Sequence, residues 1–135
     1  MKVIYSFTDK QIEQVYWLHK QAWWSSGRTV EETKRCLEGS QVCIGILDEN
    51  DNLIAFTRVI TDFIFKAIIF DVIVDKSHQG AGLGQQLMSL VKQHKDLHSV
   101  KHFELYCLPE MVAFYESFGF STDIDGISLM RCVNS

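Results

Sequence analysis

Across residues 70–85 an apolar, strand-like run passes into a glycine-spaced turn and then into an amphipathic helix. Phe70-Asp71-Val72-Ile73-Val74-Asp75 is followed by Lys76-Ser77-His78-Gln79 and then by Gly80-Ala81-Gly82-Leu83-Gly84-Gln85. Glycines at 80, 82 and 84 let the backbone turn sharply, and they leave N–H groups unshielded at the positive end of a helix dipole. The unit is an anion cradle, and a pyrophosphate is its natural occupant. A fold for this chain has to seat that strand in a sheet and that helix on the sheet's face.

The neighbouring patterns extend this unit. Residues 66–74 are apolar almost throughout apart from Asp71, as expected of a central strand covered on both faces. Leu83, Leu87, Leu90 and Val91 recur at helical spacing from Gly82 to about Lys95. Upstream, a short strand at 2–7 precedes Thr8, which caps a helix to about Gln21 with Ile12, Val15, Tyr16 and Leu18 near one face. Residues 23–28 break that pattern, and Thr29 with Glu32 reads as a capping box opening a second helix that ends near Gly39. Residues 42–47 and 53–61 form a hairpin around a turn at 48–52. Downstream, His102, Glu104 and Tyr106 alternate with Phe103, Leu105 and Cys107 in a fifth strand. Pro109 opens a helix to Ser117, Gly119 ends it, and 127–133 offers a last strand. This order predicts one three-layer α/β domain over 1–135 with a mixed, largely antiparallel sheet.

Bulk numbers exclude several classes. At 135 residues the chain suits one domain, and 47% hydrophobic with 22% charged residues is ordinary globular usage. Thirteen basic against seventeen acidic residues give −4, which argues against a nucleic-acid groove. Cys36, Cys43, Cys107 and Cys132 contain no CxxC pair, so neither zinc nor a redox motif is indicated, and free buried thiols are expected. His94, His98 and His102 cross a helix end into a strand and share no metal-binding face, so no metal is expected. The apolar stretch after Lys2 is too short for a signal peptide and no run approaches a membrane span, which predicts a cytoplasmic protein without membrane partners.

Gln79-Gly80-Ala81-Gly82-Leu83-Gly84 resembles the Gln/Arg-x-x-Gly-x-Gly/Ala signature of the GNAT superfamily of N-acetyltransferases. Residues 71–74 resemble that family's fourth strand, and Phe114-Tyr115-Glu116-Ser117-Phe118-Gly119-Phe120 resembles its helix-to-strand passage. The element order agrees over the whole chain. No Gly-Lys-Ser/Thr follows, so a P-loop lacks its lysine, and the hairpin before residue 66 does not fit a dinucleotide-binding unit. The resemblance implies a three-layer α/β/α domain whose sheet splays between strands four and five, with acetyl-CoA as co-substrate. It further implies that backbone N–H groups of Gln79, Gly80, Ala81, Gly82, Leu83, Gly84 and Gln85 hold the pyrophosphate, while the backbone at Ile73 and Val74 bonds the pantetheine arm as an added strand. It also implies homodimers formed through the late strands. One departure is Leu108, where many members carry an Asn that contacts pantetheine; Pro109 and Met111 also differ from the usual wording.

Acetyl transfer to an amine needs a neutral amine, an oxyanion stabiliser and a proton for the leaving thiolate. By the resemblance, Tyr115 is the acid, against the alternative of a tyrosine simply packed in its helix. Asp71 is the first candidate base, because a carboxylate in an apolar strand is costly unless it has a partner or a raised pKa; the alternative is a structural bond to backbone or an arginine. Backbone N–H near Ile73 or Val74 is implied for the oxyanion. Cys107 has no Cys-His-Asp arrangement to support covalent catalysis, and His78 reads as a loop residue. Trp23, Trp24, Ser26 and Arg28, between the first two helices, with Arg58 and Asp62, either line the acceptor site or only pack. The expectation is direct transfer to a primary amine of a small molecule, with a non-catalytic CoA-binding module as the alternative.

Overall fold

The computed structural model describes residues 1–134. Local signals set its first helices. Thr8 and Gln11 exchange side chain and backbone bonds to open α1 (Asp9–Lys20), and Thr29 and Glu32 do the same for α2 (Val30–Glu38). Each box satisfies amides that the helix itself leaves unpaired.

Among the described residues, five strands form one sheet in chain order: β1 (Lys2–Ile4), β2 (Val42–Leu47), β3 (Leu53–Thr61), β4 (Lys66–Val74) and β5 (His102–Leu105). The first four are antiparallel, and β5 runs parallel to β4. After β4 come a 3₁₀ turn at Lys76–His78 and α3 (Leu83–Lys92); after β5 come a 3₁₀ turn at Pro109–Met111 and α4 (Val112–Glu116). Alternation along the strands divides the core between the two faces. Ile44, Ile46, Val59 and Ile69 meet Leu83, Leu87, Met88 and Val91 of α3 and Tyr115 of α4. On the other face Cys43, Leu47, Phe56 and Ile73 meet Val15 and Leu18 of α1, with Leu37 of α2 packed beside them. Each large buried side chain contributes about 1.5–3 kcal/mol, so both helical layers are fastened mainly by the sheet between them. This is the expected three-layer α/β/α arrangement.

Two irregularities in β4 position the site. Pairing with β5 runs from Lys66–His102 to Ile69–Leu105 and stops, so residues 70–74 have no β5 neighbour: the expected splay is present. On the β3 side, Phe56 faces Ile73 while Arg58 faces Phe70, so β4 carries one residue more than β3 over this stretch. Asp71 sits at this bulge with φ +58°, a conformation that Asp adopts more readily than most side chains.

Three expectations are corrected. Residues 127–133 form no strand; Ile127, Leu129, Met130 and Val133 are exposed. Asp125 and Gly126 take positive φ, and Ile127 N–H closes a turn onto Ile124 C=O. An alternating pattern expresses a fit to a half-buried surface, and this segment has no strand beside it. The first strand ends at Ile4 and the fifth at Leu105, both short of the expected limits. All four cysteines are free, but Cys107 and Cys132 are exposed rather than buried.

Candidate active site

The start of α3 is open. Gly82 occupies its N-cap with φ +81°, Gly80 has φ +84°, and neither a capping side chain nor an acidic residue in the first turn serves this end. The amides of Leu83, Gly84 and Gln85 have no acceptor within the helix and lie at the positive end of its dipole. Gly84 serves packing: a Cβ there would already stand 3.4 Å from the Phe114 ring, so a larger side chain would push α4 off α3.

The open edge of β4 runs up to this cradle. Asp75 N–H donates to Ile54 C=O of β3 at 2.8 Å, so by two-residue alternation the backbone of Ile73 faces β3 and that of Val72 and Val74 faces the splay. Gln79 Nε2 donates to Val74 C=O at 3.2 Å on that side. The geometry therefore offers Val72 and Val74 as edge residues; Ile73 pairs with Phe56 and lends its side chain instead. A cleft of about 250 Å³ occupies this space, between Gln21, Ala22 and Trp24 after α1 and Val72, Ile73 and Val74, with Lys76 and Gln79 at one end.

On the α1 side lies a charged cluster around Asp71. Arg28 donates from Nη1 to Oδ2 at 2.7 Å and from Nη2 to Oδ1 at 3.0 Å, and Arg58 Nε donates to Oδ2 at 2.7 Å. Buried His19 places Nε2 3.4 Å from the same oxygen. Its Nδ1 lies 2.9 Å from Val15 C=O, which can only accept, so Nδ1 carries the hydrogen. Burial alone would push the Asp71 carboxyl up, but His19, Arg28 and Arg58 together overcome it and hold the group far below the usual carboxylate range. Asp71 is thus a permanently ionised anchor, and an ionised carboxylate already held by two guanidinium groups is a poor proton acceptor. The alternative of a structural bond to an arginine is the geometry found.

The remaining acceptor-side candidates divide. Trp24 lines the cleft, with the Arg28 guanidinium carbon 5.8 Å from its ring centre. Arg58 lies beneath, bonded to Asp71 and to Ser40 Oγ. Ser26 does not reach the cleft: its hydroxyl turns back to Trp23 C=O and its own carbonyl accepts from Lys20 Nζ. Trp23 faces solvent. Asp62 caps the β3–β4 turn, accepting from the N–H of Ile64, Phe65 and Lys66, and so serves the hairpin rather than the cleft.

A splayed strand edge lines a cleft that reaches the turn before an open helix start, and comparison with known proteins agrees. Residues 39–122 match the acetyltransferase (GNAT) domain family. The chain belongs to the GNAT acetyltransferase family. It is 33% identical over 107 residues to the uncharacterised N-acetyltransferase ycf52 of Porphyra purpurea, covering 76% of this chain and 61% of that protein. It is 35% identical over 112 residues to serotonin N-acetyltransferase 2, chloroplastic, of Oryza sativa subsp. japonica, covering 80% and 56%. The chain thus spans less than two-thirds of the length of these relatives. Among solved structures, a protein described as belonging to the GNAT family from Xanthomonas campestris pv. campestris superposes with a TM-score of 0.83 at 26% identity, covering 99% and 94%.

In this GNAT domain Tyr115 is buried on α4 with its ring edge-on to Phe114 and Phe120. Burial first, and the nearby Cys107 second, push its phenol up to about 12, so it stays protonated through the neutral range. Five contributors went unnoticed in the sequence: His19, Gln21, Ala22, Val72 and Lys76. Gln21 ties the end of α1 to the root of the glycine turn, donating to Asp75 Oδ1 at 2.7 Å and accepting from Lys76 N–H at 2.9 Å. A glutamine at a helix end carries no signal of such a long-range bond.

Proposed function

We propose that this chain is an acetyl-CoA-dependent N-acetyltransferase acting by direct transfer on a primary amine of a small molecule. One observation carries the reading: the free edge of β4 lines a cleft that extends to Lys76 and Gln79, in the turn that leads into the uncapped start of α3. Both fit a CoA-type donor. The amides at residues 83–85 suit its pyrophosphate, and Val72 and Val74 offer backbone groups to an extended arm, without help from an Asn at Leu108. Bound there, acetyl-CoA would supply an acetyl group activated as a thioester.

The chain's own groups divide the remaining work. Tyr115 keeps its proton, and the family resemblance assigns it as the donor to the leaving sulfur. For a phenol near 12 facing a thiol of ordinary pKa, about 8.5, complete transfer would cost about 5 kcal/mol, so its contribution is a hydrogen bond that strengthens as charge develops. Among the described residues, no carboxylate lines the cleft, so the amine gives its proton to water. Trp24, Ala22 and Ile73 favour an acceptor with an apolar body, and a relative named for serotonin supports a small-molecule amine.

The test is thiol release from acetyl-CoA across a panel of amines, with the product identified by mass spectrometry. Release that depends on an amine, with the acetyl group found on its nitrogen, is expected. CoA binding without turnover on any amine would favour a non-catalytic module. Replacing Tyr115 by Phe should lower kcat about a hundredfold while leaving the KM for acetyl-CoA unchanged. Equal rates would remove its role.

A further inference from the structure

We infer that the Arg28–Asp71 ion pair sets the width of the acceptor cleft, which makes Arg28 a positioning residue for the amine; this rests on the acetyltransferase reading above. The cleft has two walls that belong to separate parts of the chain. One is Trp24, in the segment that joins α1 to α2; the other is Val72 and Ile73 on β4. Asp71 immediately precedes the second wall, and the bulge turns its carboxylate toward the α1 side. Arg28 stands beside the first, with its guanidinium against the Trp24 ring, and reaches across with a two-point bond of 2.7 and 3.0 Å. Among the described residues, Arg28 is the one side chain of residues 22–29 hydrogen-bonded to β4. A planar fork on a carboxylate fixes angle as well as distance, so the pair holds Trp24 at a set height over Val72.

The pair is also separable from the fold. The Asp71 and Arg58 side chains are only 5% and 12% exposed, whereas that of Arg28 is 27% exposed. Removing Arg28 leaves Asp71 still neutralised by Arg58, so the bulge and the core around it keep their charge balance. Trp24 loses its support, and the cleft widens.

The experiment measures kcat and KM for a small and a bulky amine, and KM for acetyl-CoA, in the full chain, in Arg28→Met and in Arg28→Lys. Arg28→Met should raise the KM for the small amine about tenfold with kcat nearly unchanged and KM for acetyl-CoA unmoved. Relative kcat/KM should shift toward the bulky amine, which a loss of stability alone would not produce. Arg28→Lys, with a single-point contact in place of the fork, should fall between, and it carries the test should Arg28→Met lose its cooperative melting. Unchanged amine KM and unchanged size preference in both variants would overturn the inference while leaving the acetyltransferase reading intact. A wild-type chain inactive with every amine would remove that reading and this inference with it.

Discussion

Residues 22–29 and residues 76–82 both lead into a helix and both border the cleft, yet they enter their helices by opposite means. The first segment is fastened by side chains: Ser25 Oγ donates to His19 C=O, Lys20 Nζ donates to Ser26 C=O, Arg28 grips Asp71, and Thr29 closes the start of α2. The second is tied at its root by side chains, with Gln21 accepting from Lys76 N–H and Gln79 donating to Val74 C=O. From Gly80 onward, however, it is shaped by backbone: Gly80 and Gly82 at positive φ, and a helix start that no side chain caps. The difference reflects what each must leave free. A segment that forms a wall can commit its polar groups to the protein, whereas one that holds an anion has to keep its amides available.

The largest expected effect comes from breaking the side-chain-fastened segment at its root. Asp71→Asn removes the single negative charge between two guanidinium groups, one of them nearly buried. Losing one partner of such a cluster typically costs 3–5 kcal/mol, because the remaining charges stay desolvated and unpaired. Urea unfolding should show a loss of about 3 kcal/mol or more, with the midpoint lowered and the slope unchanged. A loss under about 1 kcal/mol would show that the cluster is wet and weakly coupled.

Breaking the backbone-shaped segment should cost less stability and more donor affinity. At Gly82 a Cβ would meet nothing closer than Gln85 Oε1 at 3.5 Å, so space is not the obstacle; the φ of +81° is. Gly82→Val should lose about 1–2 kcal/mol from that conformation, and as the turn relaxes it should raise the KM for acetyl-CoA at least tenfold while leaving the amine KM alone. Arg28→Met shows the converse pattern, so the two variants separate donor and acceptor sides. Equal disturbance of both constants by Gly82→Val would mean that the two segments move as one.

This contrast also explains which features the sequence made legible. The glycine turn was readable because its function is conformational, and glycine is the residue type that conformation demands; the two capping boxes were readable because their partners lie three residues apart. Asp71 was conspicuous, but its role was not, since Arg28 and Arg58 lie 43 and 13 residues away and nothing local announces them. The bulge that turns Asp71 toward them inserts one residue without altering the apolar pattern, and the open edge carries Val72 in place of the expected Ile73, together with the expected Val74. The segment 127–133 misled for a related reason: alternation states what a strand would bury, and pairing needs a neighbour.

A smaller effect should result from opening the closed helix start that follows Arg28. Thr29→Ala removes the acceptor for Glu32 N–H and costs about 1 kcal/mol. Arg28 still holds Asp71, so Trp24 keeps its place and neither KM should change by more than about twofold. The measurement is thermal melting beside steady-state kinetics. A change in amine KM comparable to that of Arg28→Met would show that the cap, rather than the ion pair, seats the wall.

The smallest expected effect is an absence of titration, and it tests the contrast most sharply. Asp71 is held far below its unfolded value of about 3.9, and Asp75, at the root of the glycine turn, is lowered to about 2 by Ser77, Gln21 and His78 despite the opposing cost of burial. For a carboxyl depressed on folding, the stability it contributes is complete above the unfolded pKa and fades only as pH falls through the folded one, for Asp75 down through about 2. Tyr115, raised to about 12, keeps its proton up to and beyond pH 9. Between pH 5 and 9, then, neither carboxylate nor the phenol changes state, and kcat/KM should rise with unit slope toward the pKa of the amine itself, differing from one amine to the next. A shared inflection between pH 5 and 7 that persists across amines, vanishes in Asp71→Asn and survives in His19→Gln would show Asp71 exchanging a proton during turnover. That result would restore it as the base and turn the fastened segment from an anchor into part of the chemistry.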